Sequence, residues 1–173
     1  MLFAALATVV VQASARAADQ PLVNLIEHLQ RPTKNEAAPI VVTAVAAVEK
    51  NDFVLKFALT NMSRAALSFY KSDLPWSNTY SIRWAAIAGD GRVIPMRYPI
   101  DDDFGTEQIS VAPGQTLKGT YSLTRMLDRK LVPANTELAI IWAYTFPTGP
   151  VAGKNIPRAE YRSTGVATLR TPK

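Results

Sequence analysis

The chain has 173 residues, of which 48% are hydrophobic and 19% charged, with a formal net charge of +5 and no cysteine. This composition predicts a globular protein rather than a disordered tail, and the lack of cysteine excludes disulfides, thiol catalysis and cysteine-ligated metal. The length suits one domain, with a core large enough to be stable without crosslinks.

The N-terminal segment has the layout of a secretory signal peptide. An uncharged apolar stretch, Leu2 to Val11, is followed by small residues up to Ala15-Arg16-Ala17. The stretch is shorter than the roughly 20 apolar residues of a membrane span, and the Ala-x-Ala ending fits cleavage after Ala17. We therefore expect residues 1–17 to be removed and the mature protein to be periplasmic or secreted, with no integral membrane segment. Because no Lys or Arg precedes the stretch, two alternatives stay open: a true start that lies upstream, or a short buried strand or helix of the domain.

Residues 18–36 predict a short amphipathic helix and a linker. Asp19 is a suitable N-cap and Pro21 suits the first turn. The apolar side chains recur at helical spacing, at Leu22, Leu25, Ile26 and Leu29. The polar, proline-containing segment Arg31–Glu36 then connects this helix to the domain proper.

Residues 37–173 predict an all-β domain, because short runs of alternating apolar and polar residues recur along them. Nine strands are expected: Ile40–Val48, Asp52–Thr60, Ala66–Tyr70, Tyr80–Ala88, Arg92–Tyr98, Glu107–Val111, Gln115–Leu123, Glu137–Phe146 and Gly165–Arg170. This spacing is typical of an immunoglobulin-like antiparallel β-sandwich of about seven to nine strands. Glu137–Phe146 is apolar on both faces, so we expect it to be central, between Tyr80–Ala88 and the C-terminal strand.

Two turn sequences predict hairpins. Pro113-Gly114 separates the runs 107–111 and 115–123, and Gly89-Asp90-Gly91 separates the runs 80–88 and 92–98. Gly and Asp adopt positive φ at little steric cost, and Pro fixes the φ of a turn position. We therefore expect each pair of runs to form adjacent antiparallel strands.

The stretch from residue 40 to residue 146 resembles the immunoglobulin-like domain of BsuPI-type intracellular proteinase inhibitors, and it is similar to the β-sandwich pro-segments of deuterolysin-like metallopeptidases. The resemblance lies in Leu59-Thr60-Asn61, Asp90-Gly91 and Pro113-Gly114. It implies an immunoglobulin-like fold and an inhibitory, protein-binding role. The loops Lys71–Thr79, Ile100–Thr106 and Pro147–Tyr161 depart from that pattern.

Few residues suit catalysis or metal binding. His28 is the only histidine; beside Glu27 on the predicted helix it is expected to be solvated rather than catalytic. Asp101-Asp102-Asp103 offers oxygen ligands, but consecutive side chains point apart and the spacing is not that of a calcium loop. We expect a solvated acidic turn, with calcium binding or carboxylate catalysis as the alternatives. The chain is thus predicted to be no enzyme and to need no cofactor or metal.

The C-terminal segment, residues 154–173, carries the excess positive charge, with five cations against one carboxylate. The cations are dispersed and have no interleaved aromatic residues, unlike a nucleic-acid-binding tail. We expect a solvated last strand and no nucleic-acid partner.

Three aromatic loop residues, Trp76, Tyr98 and Phe104, are the predicted binding anchors, since exposed aromatics on loops often bind partners. The alternative is that they fold back against the end of the sandwich. We expect an exported, non-enzymatic domain that binds another protein, such as a secreted or periplasmic hydrolase, through loops at one end. Asp101, Asp102 and Asp103 would steer a basic partner. A carbohydrate- or envelope-binding module, in which the same aromatics stack on sugars, is the other hypothesis.

Overall fold

The computed structural model describes residues 20–30, 38–77, 79, 81–97, 106–148 and 159–173. The predicted signal segment, the linker after the helix, and the predicted site residues Tyr98, Asp101, Asp102, Asp103 and Phe104 lie outside the described residues. Within them the chain forms one helix, α1, at residues 20–30. The strands are β1 (Ile40–Glu49), β2 (Asp52–Asn61), β3 (Leu67–Tyr70), β4 (Arg83–Ala88), β5 (Gln108–Val111), β6 (Thr116–Ser122), β7 (Glu137–Thr148) and β8 (Ala159–Arg170).

These strands confirm the predicted antiparallel β-sandwich with a short N-terminal helix. They form three sheets, with strand orders β1-β2-β6, β3-β5 and β4-β7-β8. Alternate side chains of the long strands point into one shared core, as the two-residue period of a strand requires. In β2 these inward side chains are Phe53, Leu55, Phe57 and Leu59, each at most 4% exposed.

Aromatic pairs connect the two three-stranded sheets across the core. Phe57 of β2 meets Trp142 of β7 edge to face, with ring centroids 5.4 Å apart. Trp84 of β4 meets Tyr121 of β6 in the same way at 6.4 Å. Edge-to-face pairs contribute about 0.5–1.5 kcal/mol beyond the burial of their area. The sheets are therefore held together by large rings as well as by aliphatic packing.

β7 is the central strand of its sheet, as predicted, with β4 on one side and β8 on the other. Its inner face contributes Trp142 and Tyr144 to the core. Its outer face is covered by α1, whose Leu25 is 1% exposed and packs against Ala85 and Ala143. A strand covered on both faces explains the apolar residues on both sides of this run.

The Pro113-Gly114 turn does not close a hairpin, contrary to the prediction. β5 pairs with β3, whereas β6 pairs with β2. The reason is Asn61, which is fully buried at the end of β2. Its Nδ2 donates to the Val111 carbonyl at 2.8 Å, and its main-chain N–H donates to the Gln115 carbonyl at 3.0 Å. Asn61 thus lies between the ends of β5 and β6, which then pair in different sheets.

The predicted strand Arg92–Tyr98 is also not formed over its described residues. Only two isolated bridges are present there, Val93 to Ile87 and Met96 to Leu127. Pro95, which has no N–H to donate, lies between them and interrupts the ladder. After the Gly89-Asp90-Gly91 turn the segment therefore runs antiparallel beside β4, as predicted. Its pairing with β4 ends within a few residues.

The side chains that α1 exposes differ from those predicted for an amphipathic helix. Ile26 is 45% exposed and Leu29 is 38% exposed, although both were expected on the buried face. His28, expected to be solvated, is half-buried, and its Nε2 lies 2.7 Å from Oγ1 of Thr145 on β7. A narrow helix on a flat sheet face buries only one stripe of side chains, here the one that contains Leu25.

Candidate functional site

Trp76 is the one predicted partner-binding residue within the described part of the chain. It is half-buried, and its indole lies on the main chain of β6 at Gly119. A Cβ built on Gly119 would be 2.1 Å from the ring, so the ring lies directly on the backbone. This arrangement matches the alternative expectation that a loop aromatic folds back onto the sandwich. Whether Trp76 also contacts a partner stays a prediction.

A groove of about 590 Å³ opens at the end of the sandwich where β4 finishes and β7 begins. Its two walls are residues 91–95, which follow β4, and residues 130–133, which precede β7. This groove was not predicted from the sequence, because neither wall is a regular strand or helix and the two walls lie far apart in the chain.

The first wall is fixed by the turn after β4. Gly91, with φ of +86°, donates its N–H to the Ala88 carbonyl at 2.8 Å. Arg92 then closes on Asp90: its main-chain N–H donates to Oδ1 at 3.0 Å and its Nε to Oδ2 at 2.7 Å. The Arg92 side chain and main-chain N–H hold the pKa of the Asp90 carboxyl below its usual value. This ion pair therefore orients the guanidinium that lines the groove.

The second wall is a 3-10 turn at Arg129–Leu131, capped by Asp128. Oδ1 of Asp128 accepts the main-chain N–H of Lys130 at 3.1 Å, and Oδ2 accepts Nη2 of Arg97 at 2.5 Å. Arg97 belongs to the chain segment of the first wall, and its N–H also donates to the Met126 carbonyl at 2.7 Å. The pair between Arg97 and Asp128 therefore connects the segments that form the two walls.

The second wall is anchored at its ends as well. Arg129 donates to the Asn51 carbonyl, and its guanidinium lies 5.2 Å from the centre of the Phe53 ring. At the other end the buried Thr171 donates its hydroxyl to the Pro133 carbonyl at 2.7 Å. These contacts position the turn before any ligand arrives, which lowers the entropic cost of binding.

The groove combines apolar surface with positive charge. Leu131 is 46% exposed, and Val93, Pro95 and Val132 are half-buried. Lys130 forms no ion pair within the described residues, and none of the nine lining residues carries a carboxylate. None of these nine described residues carries an imidazole or hydroxyl side chain.

Within the described ranges, no group of three His, Cys, Asp or Glu side chains is close enough to hold a metal ion. In the same residues no helix is both long and apolar enough to cross a bilayer. A scan against protein-family models gave no match, and a search of curated proteins found none either.

Proposed function

We propose that this chain is an exported, non-enzymatic domain that binds another protein, and that the groove between residues 91–95 and 130–133 belongs to its binding surface. One observation carries the proposal: the exposed Leu131 and Lys130, which forms no ion pair with any described residue, occupy adjacent positions of a turn that is fixed on both sides. Exposed apolar side chains next to a cation, on a rigid support, are typical anchors of protein interfaces.

The exposure of the walls favours a protein over a small molecule. Leu131 is exposed and most of the other apolar lining residues are half-buried rather than enclosed. Small-molecule sites usually bury most of the ligand surface, whereas this groove would leave a small ligand in contact with solvent. A partner protein can cover both walls at once and exclude that water.

More specifically, we propose that the partner is a secreted or periplasmic hydrolase and that the domain inhibits it. Such inhibition is supported by the turn-level resemblance to proteinase inhibitor domains in residues 40–146, and it would use the loops that carry Trp76, Tyr98 and Phe104. The groove and these loops are then two candidate contact surfaces, and substitutions can separate them.

The test uses the chain from Ala18 as immobilised bait in an envelope and culture-supernatant extract of its source. Four baits are compared: wild type, Leu131→Asp, Trp76→Ala and Val166→Asp. Val166 is the matched control, because it is an aliphatic residue that is 64% exposed on β8. Each captured protein is purified, its affinity is measured, and its hydrolytic activity is assayed with and without the domain.

The proposal expects one protein that wild type and Val166→Asp retain and Leu131→Asp loses. If that protein is a hydrolase inhibited in proportion to the bound domain, the inhibitor form is supported. Equal retention by all four folded baits would contradict the groove as the binding surface. Retention of polysaccharide and no protein would instead favour the carbohydrate-binding hypothesis.

A further inference from the structure

The groove lies where the main-chain hydrogen bonding of the segment that follows β4 stops. Residues 92–94 pair with β4 through two bonds, from Ala88 N–H to the Arg92 carbonyl and from Ile94 N–H to the Ala86 carbonyl. Because the backbone groups of successive strand residues point to opposite sides, those of Val93 point away from β4. In the described part of the chain neither the N–H nor the carbonyl of Val93 has a backbone partner.

The side that Val93 faces is the side of the second wall. Val93 lines the groove together with residues 130–133 of that wall, and farther along the N–H of Arg97 donates to the Met126 carbonyl. The pairing continues only to the bridge between Met96 and Leu127. After Asp128 the chain enters the 3-10 turn at Arg129–Leu131, and the groove lies between this turn and Val93.

An extended peptide fits this gap better than a helix or a compact ligand does. Main-chain groups of a peptide can pair with the N–H and carbonyl of Val93, which have no backbone partner among the described residues, as in other cases of strand addition to an open sheet edge. Alternate side chains of such a peptide point to opposite sides. One set would then reach the apolar surface of Leu131 and Val132, while the other set stays near solvent.

The charge around the groove determines the character of that peptide. The segments 89–97 and 127–133 carry four cations, Arg92, Arg97, Arg129 and Lys130, and two carboxylates, Asp90 and Asp128. Both carboxylates are already paired with arginines, Asp90 with Arg92 and Asp128 with Arg97. Lys130 has no ion-pair partner among the described residues, so its charge can attract a negatively charged group of a ligand. An acidic ligand is therefore favoured over a basic one.

We propose that the groove binds an extended acidic segment of a partner protein, in which carboxylates alternate with aliphatic residues and the main chain pairs with Val93. This inference rests on the proposed protein-binding function and specifies the ligand class at the same groove. A carboxylate of the segment contacts Lys130, and an aliphatic side chain covers Leu131.

The test is a titration of ¹⁵N-labelled protein with acetylated, amidated hexapeptides in which Glu or Asp alternates with Val or Leu. Three probes accompany each peptide: the same sequence with Lys in place of the acids, the same sequence N-methylated at its central residues, and the same sequence in high salt. The protein variants are Lys130→Glu and the control Lys118→Glu, which reverses an exposed charge on β6.

Binding of an acidic peptide should shift the amide resonances of Val93 and Lys130. Lys130→Glu should weaken that binding at least about tenfold, the equivalent of roughly 1.4 kcal/mol, whereas Lys118→Glu should leave it nearly unchanged. N-methylation should weaken it because it removes the main-chain donors, and salt should weaken it by screening. Equal binding of the Lys peptides, equal effects of the two reversals, or no shift at Val93 with any acidic peptide would overturn the inference.

Different results would contradict the proposed protein-binding function and the inference of an acidic peptide ligand. If a captured protein depends on Leu131 but no acidic peptide perturbs Val93, the partner uses a folded surface and only the peptide inference is wrong. If acidic polysaccharide shifts Val93 and the peptides do not, the ligand class is wrong. If folded bait captures no protein at all, the proposed function itself fails.

Discussion

At the scale of single residues, Gly119 is the described glycine with the least room for a side chain, because Trp76 lies against it. The indole occupies the space of a side chain at Gly119, with ring atoms 2.1–2.3 Å from where a Cβ would be. Gly119→Ala should therefore lower the free energy of unfolding by about 2 kcal/mol, within the range for overpacked sites. Urea denaturation measures this change.

The control is the same substitution in a Trp76→Ala background. There the added methyl group meets no ring, so Gly119→Ala should cost little, and the coupling energy between the two sites should account for most of the loss. An equal cost in both backgrounds would show that Trp76 does not lie on β6 in solution.

Tyr144 is a second residue with a measurable consequence. Burial raises the pKa of its hydroxyl above the usual value of 10.0, and the charge of Asp73 acts in the same direction. The hydroxyl also donates to the Asp73 carbonyl at 2.7 Å. Above about pH 10 the unfolded chain releases this proton while the folded chain keeps it, so stability is lost as pH rises.

Tyr144→Phe should therefore be less stable than wild type near neutral pH by about 1 kcal/mol, the worth of one hydrogen bond. Above about pH 10 the difference should shrink by up to roughly 1.4 kcal/mol per pH unit. Urea denaturation of both proteins between neutral pH and pH 11 measures it, and the other tyrosines cancel in the comparison. A difference that does not change with pH would contradict the buried position of this hydroxyl.

At the scale of elements, α1 is a structural part of the domain rather than an appendage. Leu25 is 1% exposed on the outer face of the β4-β7-β8 sheet, and its neighbour Ile26 is 45% exposed. Leu25→Ala should lower the free energy of unfolding by about 2–3 kcal/mol, as for other buried leucines. Ile26→Ala should change it by less than about 0.5 kcal/mol. Thermal or urea denaturation of both variants checks this, and similar small losses would mean that α1 is detached.

The strands could be predicted from the sequence more readily than their pairing. Alternation in Asp52–Thr60 and apolar residues on both faces of Glu137–Phe146 predicted the strands and the central position of β7, which the structure confirms. The partners of β5 and β6 could not be found in the same way, because they depend on Asn61, fifty residues from its acceptor Val111. Turn chemistry at Pro113-Gly114 indicates a bend and does not specify which sheet the next strand joins.

At the scale of the whole molecule, the groove exists only because two distant segments meet. Residues 91–95 and 130–133 are irregular, and the pair of Arg97 with Asp128 connects their segments. No periodic pattern reveals such a meeting. The binding anchors predicted from the sequence were instead aromatic side chains in loops. Of these, Trp76 lies on Gly119. Its role in binding, and those of Tyr98, Phe104, Asp101, Asp102 and Asp103, stay predictions.

Site-specific photocrosslinking in the source cell shows whether a protein partner occupies this groove. A photoreactive amino acid replaces Leu131 in one strain and Val166 in another; the two side chains are 46% and 64% exposed. We expect a discrete crosslinked protein from position 131 that is absent from position 166. No adduct at position 131, or the same adducts from both positions, would contradict it.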